Sequence, residues 1–242
     1  MRVAALYVYP VKACRAVAVE DAAVGSLGLE QDRRFAFVGD DGRALTQRDQ
    51  PLLATIESRF HEHALRLDFG GLLQLAFSFS EFIESTSIDV WGKQIPARAA
   101  PRSLLAQAAD YLGMPVRLAR LDPQARRAFV DSQPVLVTTT AMLSNLNLPG
   151  VGMERFRPNV VLEGVVLEGA KDWVALEGKD VLLERGKPCG RCEVTTIDQA
   201  SGERRGPEPL RTLTERFEGN FGVYCRVTRA GRLRRGETLK AS

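Results

Sequence analysis

The feature that most limits how this chain can fold is a series of short apolar segments separated by turn residues across its first hundred positions. A helical bundle or a parallel α/β sheet does not produce that pattern. Arg34–Val38 and Arg43–Thr46 flank Gly39-Asp40-Asp41-Gly42, where Asp and Gly tolerate positive φ. Leu65–Phe69 and Leu72–Phe77 flank Gly70-Gly71, and Ile88–Val90 and Gln94–Ala97 surround Trp91-Gly92-Lys93. Val3–Tyr9 is an apolar strand that Pro10 closes. Hairpins at this spacing predict a barrel or a curled sheet.

Helical signals are few. Ser103–Leu112 has apolar residues at helical spacing, Ser103 as a cap and Gly113 as a stop, and Thr140–Leu146 and Glu208–Phe217 are further helices. Strands are expected at Val116–Leu121, Val160–Leu162, Val181–Glu184, Glu193–Ile197 and Val223–Val227. The polar segment Asp122–Arg127, which carries a Pro, divides the chain into residues 1–121 and 122–242. The class is therefore mainly β with a few helices (α+β).

Charge narrows the partners. Among 242 residues, 33 Lys and Arg face 30 Asp and Glu, a formal net charge of +3. That balance gives no argument for nucleic acid or a membrane surface. No apolar run reaches the roughly 18 residues that span a bilayer. The start, MRVAALYVYPVKAC, reads as a strand and not as a signal peptide. Four cysteines are too few for a disulfide scaffold, so a cytoplasmic protein with reduced thiols is expected.

The sharpest chemical motif is Cys189-Gly190-Arg191-Cys192, read as a loop just before a strand. Such a pair can serve zinc, a redox dithiol, a single thiolate on a soft metal, or nothing beyond packing. Zinc lacks an evident second pair of ligands, and a dithiol motif normally opens a helix. Arg191 beside Cys192 favours a thiolate. Three other segments place basic groups at strand entries: Tyr9-Pro10-Val11-Lys12, Asp32-Arg33-Arg34-Phe35 and Arg155-Phe156-Arg157-Pro158-Asn159. Point charges from Lys and forked donors from Arg are what a phosphorylated, polyanionic cofactor needs. His61 and His63 read as exposed, Cys225 as a small core side chain, and Trp91 and Trp173 as core packing. The cluster Arg226, Arg229, Arg232, Arg234 and Arg235 reads as a solvated face, or as a docking surface for an acidic electron carrier.

Taken in order, Y-P-V-K-x-C, D-R-x-F, F-R-P-N and C-x-R-C-x-x-T-T-x-D resemble the MOSC superfamily. The closer similarity is to members with an N-terminal MOSC β-barrel region, among them the amidoxime-reducing components and their YcbX-like bacterial relatives. The resemblance implies a β-barrel-type MOSC domain behind that region, and the molybdenum cofactor, Mo-molybdopterin, as ligand. It puts the catalytic, metal-binding thiolate on Cys192 and the cofactor contacts on Lys12, Arg33, Arg157, Arg191 and Asn159, with Asp131 and Ser132 from a further loop. Ala13 stands where the family often has Ser, and Gln133 where it often has a hydroxyl. The implied activity is reduction of N-hydroxylated or N-oxide substrates by oxygen-atom removal. Electrons would come from a separate small redox carrier and its reductase, since no iron–sulfur or dinucleotide motif is present. Two alternatives are a persulfide sulfur carrier on Cys192 and a non-catalytic cofactor carrier. A single anionic cofactor requires Lys12, Arg33, Arg157, Arg191 and Cys192 to meet in one cleft.

Overall fold

In the computed structural model, residues 1–164 and 173–242 are described. Two of the three expected hairpins are there. Ile56–His61, Ala64–Phe69 and Gln74–Ser78 form an antiparallel meander. Glu84–Val90 pairs with Lys93–Ala99, and the sheet continues through Arg117–Leu121 to Phe35–Val38. Alternate residues point inward, so Ile56, Leu65, Leu67, Phe69 and Phe77 share one core with Phe35 and Phe37. The helix Ala106–Leu112 covers that core with Ala108 and Leu112, and Gly113 ends it at φ 65°.

A second, larger sheet holds the rest. Its eight strands run in the order Lys240–Ala241, Ala175–Glu177, Leu182–Gly190, Asn220–Arg229, Val135–Thr139, Val160–Leu162, Val3–Val8, Val17–Val19. Val135–Thr139 and Val160–Leu162 are parallel, and the other pairings are antiparallel. Val3, Leu6, Val135, Val137, Val160, Leu183, Val223 and Cys225 fill its core. Among the described residues the ladders stay open and do not join into a ring.

The start of the chain belongs to this larger sheet, and Asp21–Gly25 pairs with Gly231–Arg234 near the other end of the sequence. This threading has a local consequence. Directly after Val3–Val8 the chain meets the smaller unit: the Lys12 N–H donates to the Phe35 carbonyl at 2.8 Å, and the Phe35 N–H donates to Pro10 at 3.0 Å. Lys12 is thereby fixed at the seam between the two sheet systems.

Several expectations need correction. Glu193–Thr196 is a 3₁₀ turn and not a strand. The Thr195 and Thr196 hydroxyls donate back to the carbonyls of Cys192 (2.9 Å) and Glu193 (2.7 Å), and this local bonding overrides the β preference of Thr. Cys189 lies inside the strand Leu182–Gly190, so the cysteine pair straddles a strand end. Arg43–Thr46 makes isolated bridges through Ala44 and Arg43 but no ladder. Ser103 caps nothing, because the chain enters its helix through a 3₁₀ turn, Arg102–Leu105, that follows Pro101. His61 and His63 are exposed, and Cys225 and Trp173 are buried, as read from the sequence.

Gly28 ties the fold to the 131–134 loop. Its φ is 88°, and a Cβ there would meet the Pro134 carbonyl oxygen at 2.7 Å. Gly28→Ala is expected to destabilise the protein by about 1–3 kcal/mol, since it adds left-handed strain to a backbone clash. Urea unfolding should show a lower midpoint with an unchanged slope; an unchanged midpoint would show that the loop gives way freely.

Candidate active site

Seven of the eight residues expected at the site flank strands. Lys12 follows Val3–Val8, Arg33 precedes Phe35–Val38, and Asp131 and Ser132 precede Val135–Thr139. Asn159 precedes Val160–Leu162, and Arg191 and Cys192 follow Leu182–Gly190. Arg157 ends the turn Met153–Phe156. All eight line one cleft of about 570 Å³.

The cleft is strongly cationic. Lys12, Arg33, Arg48, Arg157, Lys187 and Arg191 line it, against Asp131 as the one lining carboxylate. Lys12 is 6% exposed and ion-paired with Asp131. Burial lowers the pKa of its ammonium, and the Asp131 charge only partly offsets this. Arg33 pairs with Asp32, which is wholly buried and also accepts the Tyr9 N–H at 2.8 Å. The Asn159 side-chain oxygen is filled by the protein. Oδ1 accepts from the Leu136 N–H (3.1 Å) and Arg33 (3.3 Å), and Nδ2 donates to the Tyr7 carbonyl (3.2 Å). Asn159 therefore acts on the cleft by aiming Arg33.

Arg157 is different. No carboxylate pairs with it among the described residues, and its buried Nη2 has no hydrogen-bond partner. Its guanidinium lies 4.3 Å from the Tyr9 ring centroid, with that of Arg33 at 4.6 Å. Burial pushes Arg157 down to about 10; the Tyr9 oxygen opposes this shift and Arg33 adds to it. A buried donor without an acceptor, on a cation without a counterion, marks a place for an anion. Backbone strain gathers here too. Of eight non-glycine residues with positive φ among those described, four (Ala13, Arg33, Trp91 and Arg157) line the cleft.

Cys192 also lines the cleft and is partly exposed. The cation that touches it is not Arg191, as the sequence suggested, but Arg48, whose Nη2 donates to Cys192 Sγ at 2.8 Å. Arg191 turns the other way, to Cys189 Sγ (2.8 Å) and the Phe156 carbonyl (2.9 Å), because Cys189 lies buried in the preceding strand. Trp91 is not core packing: it is 58% exposed and lines the cleft mouth. Arg48 carried no sequence signal, since it stands in a turn-rich stretch remote from the basic strand-entry motifs. Among the described residues, no three His, Cys, Asp or Glu side chains gather to hold a metal. A metal at Cys192 must therefore bring most of its own ligands.

Four of the five arginines in the cluster near the end of the chain have acidic partners. Arg226, Arg229, Arg232 and Arg235 pair with Glu184, Glu177, Asp21 and Glu20 respectively, so that face is largely neutralised.

Known proteins share this arrangement of sequence. Residues 1–115 match the MOSC N-terminal beta barrel domain and residues 124–240 match the MOSC domain. The chain belongs to the MOSC family, with the N-terminal barrel domain ahead of the MOSC domain. Within it, the chain is similar to the mitochondrial amidoxime-reducing component 1 of Xenopus laevis. They share 26% identity over 98% of this chain and 81% of the relative. The human component 1 is 28% identical over 87% of this chain and 70% of its own length. Component 2 of Bos taurus is 27% identical, over 98% and 82%. Among the described residues, no helix is long and apolar enough to cross a membrane.

The depressed pKa of Arg157 gives a signed expectation. A cation whose folded-state pKa lies below its unfolded value costs stability at neutral pH, and that cost is relieved as pH rises through about 10. Arg157→Met should therefore stabilise the ligand-free protein at pH 7 by about 1–4 kcal/mol. Its advantage over the wild type should shrink above pH 10. Pyrophosphate should raise the Tm of the wild type and leave that of the variant unmoved. Thermal unfolding with and without pyrophosphate reads all three effects, and a destabilised variant still protected by pyrophosphate would contradict them.

Proposed function

We propose that the cleft holds the molybdenum cofactor and that the protein is an oxidoreductase acting on N-hydroxylated compounds. The observation that carries this reading is the unpartnered buried Nη2 of Arg157, set among cations that lead toward the Cys192 thiol. The residues fit the group: a phosphorylated pterin needs cationic donors at one end and a soft anionic ligand at the other. Lys12 and Arg157 would hold the phosphate. Arg33, aimed by Asn159 and Asp32, would orient the pterin, and Arg191 and the Asp131–Ser132 loop would flank it. Cys192 would be the protein's ligand to the metal. When bound, the cofactor supplies two-electron oxygen-atom chemistry.

The similarity to amidoxime-reducing components supports an N–O bond as the target. Electrons would come from a separate protein. Cys14, Cys189 and Cys225 are buried in different places, and burial pushes the thiols of Cys14 and Cys225 up to about 12. Cysteines so placed do not assemble an iron–sulfur cluster beside the Cys192 site.

Cys192→Ser should abolish reduction of a hydroxylamine or amidoxime while bound pterin is largely retained, because the phosphate contacts lie elsewhere. Cys189→Ser should lose less than about tenfold, since it acts through Arg191. Turnover should need an artificial one-electron donor and fail with NADH alone. Equal, complete loss from both substitutions would point to a dithiol, and robust turnover with NADH alone would remove the partner.

A further inference from the structure

The turn joining Glu84–Val90 to Lys93–Ala99 consists of Trp91 and Gly92, with φ of 56° and 76°. Two-residue turns of this kind favour Asn, Asp and Gly, because both positions need positive φ. A Trp there strains the backbone. Burial does not compensate, for Trp91 is 58% exposed while Trp173 is 5% exposed. A large aromatic residue that is both strained and open to solvent breaks local preference on two counts, which is characteristic of functional positions.

The ring borders the reactive end of the cleft. The Arg48 guanidinium lies 5.0 Å from the Trp91 ring centroid and donates through Nη2 to Cys192 Sγ at 2.8 Å. Among the described residues Arg48 forms no ion pair, and its other side-chain N–H donors have no partner. Trp91 and Arg48 thus present an open aromatic face and a cation with spare donors. They stand beside Cys192, and the Trp91 side chain also hydrogen-bonds the Asp131 carboxylate that pairs with Lys12.

We propose that Trp91 and Arg48 form a substrate-recognition platform for planar aryl compounds that carry an anionic oxygen group. The aryl ring stacks on Trp91 and the anion accepts from Arg48. Because Arg48 reaches from the indole to the sulfur, a ligand anchored this way is held next to Cys192. An aliphatic acid would lose the stacking and a neutral aryl amide would lose the charged hydrogen bond. The assignment rests on Cys192 being the reactive end of the cleft.

Tryptophan fluorescence tests this directly, because the chain has two tryptophans and Trp173 is buried. The full chain is titrated with benzoate, benzamide and cyclohexanecarboxylate, with pyrophosphate present throughout to occupy the Lys12–Arg157 region. Benzoate should quench saturably and bind more tightly than either control. Arg48→Gln should weaken benzoate by about tenfold and leave benzamide unchanged, and Trp91→Leu, followed by calorimetry, should also weaken benzoate. Absence of saturable quenching, equal affinity for benzoate and benzamide, or unchanged benzoate affinity in Arg48→Gln would overturn the proposal. Binding needs no turnover, so such a result leaves the redox reading standing, and inactivity in a turnover assay leaves the platform standing.

Discussion

The arrangement depends on positive charge that the protein buries without supplying its counterion. Lys12 and Arg33 have carboxylate partners, Asp131 and Asp32, while the Arg157 guanidinium has none among the described residues. An uncompensated buried cation opposes folding. It persists because the surrounding structure fixes it. Tyr9 lies against both arginines, Asn159 clamps Arg33, and the left-handed backbone at Arg33 and Arg157 is held by the strands that follow. Stability is given up here in exchange for a site already organised for an anion.

The threading of the chain explains how residues so far apart converge. The first strand joins the sheet of the second half, so the loop that carries Lys12 arrives where Phe35 and the Asp131 loop meet. The network continues through buried amides. Gln47 and Gln199 exchange hydrogen bonds at 3.0 Å, Gln47 also donates to the Ala13 carbonyl at 2.7 Å, and Gln199 lies near Arg157. Both sheet systems thus contribute to one cleft. The cleft gathers cations along its lining and offers a thiol that accepts from Arg48.

Much of this was legible in the sequence, and the exceptions have physical causes. The hairpins around Gly70-Gly71 and Trp91-Gly92, the helix Thr140–Leu146 and the strand Val160–Leu162 follow from turn chemistry and apolar periodicity, which are local. Lys12, Arg33, Arg157 and Asn159 stood out because basic and amide groups at strand entries form a pattern within a few residues. Partner choice across the fold was not legible. Nothing near Arg48 says that it meets a sulfur 144 residues away, or that Arg191 turns from Cys192 to Cys189. The strand expected at Glu193–Ile197 failed because Thr hydroxyls can bond to nearby carbonyls, a competition that β propensity ignores. Trp91 was misread because large aromatics are usually buried, and its exposure follows from the tight turn that carries it.

The ligand proposed for this cationic cleft is a phosphorylated metal cofactor. The direct measurement is the molybdenum and released-pterin content of protein isolated from a molybdenum-replete host. Both are expected in near-equal amounts, approaching one per chain. Protein that is folded and pure yet free of both, from a host whose other molybdenum enzymes are loaded, would contradict it.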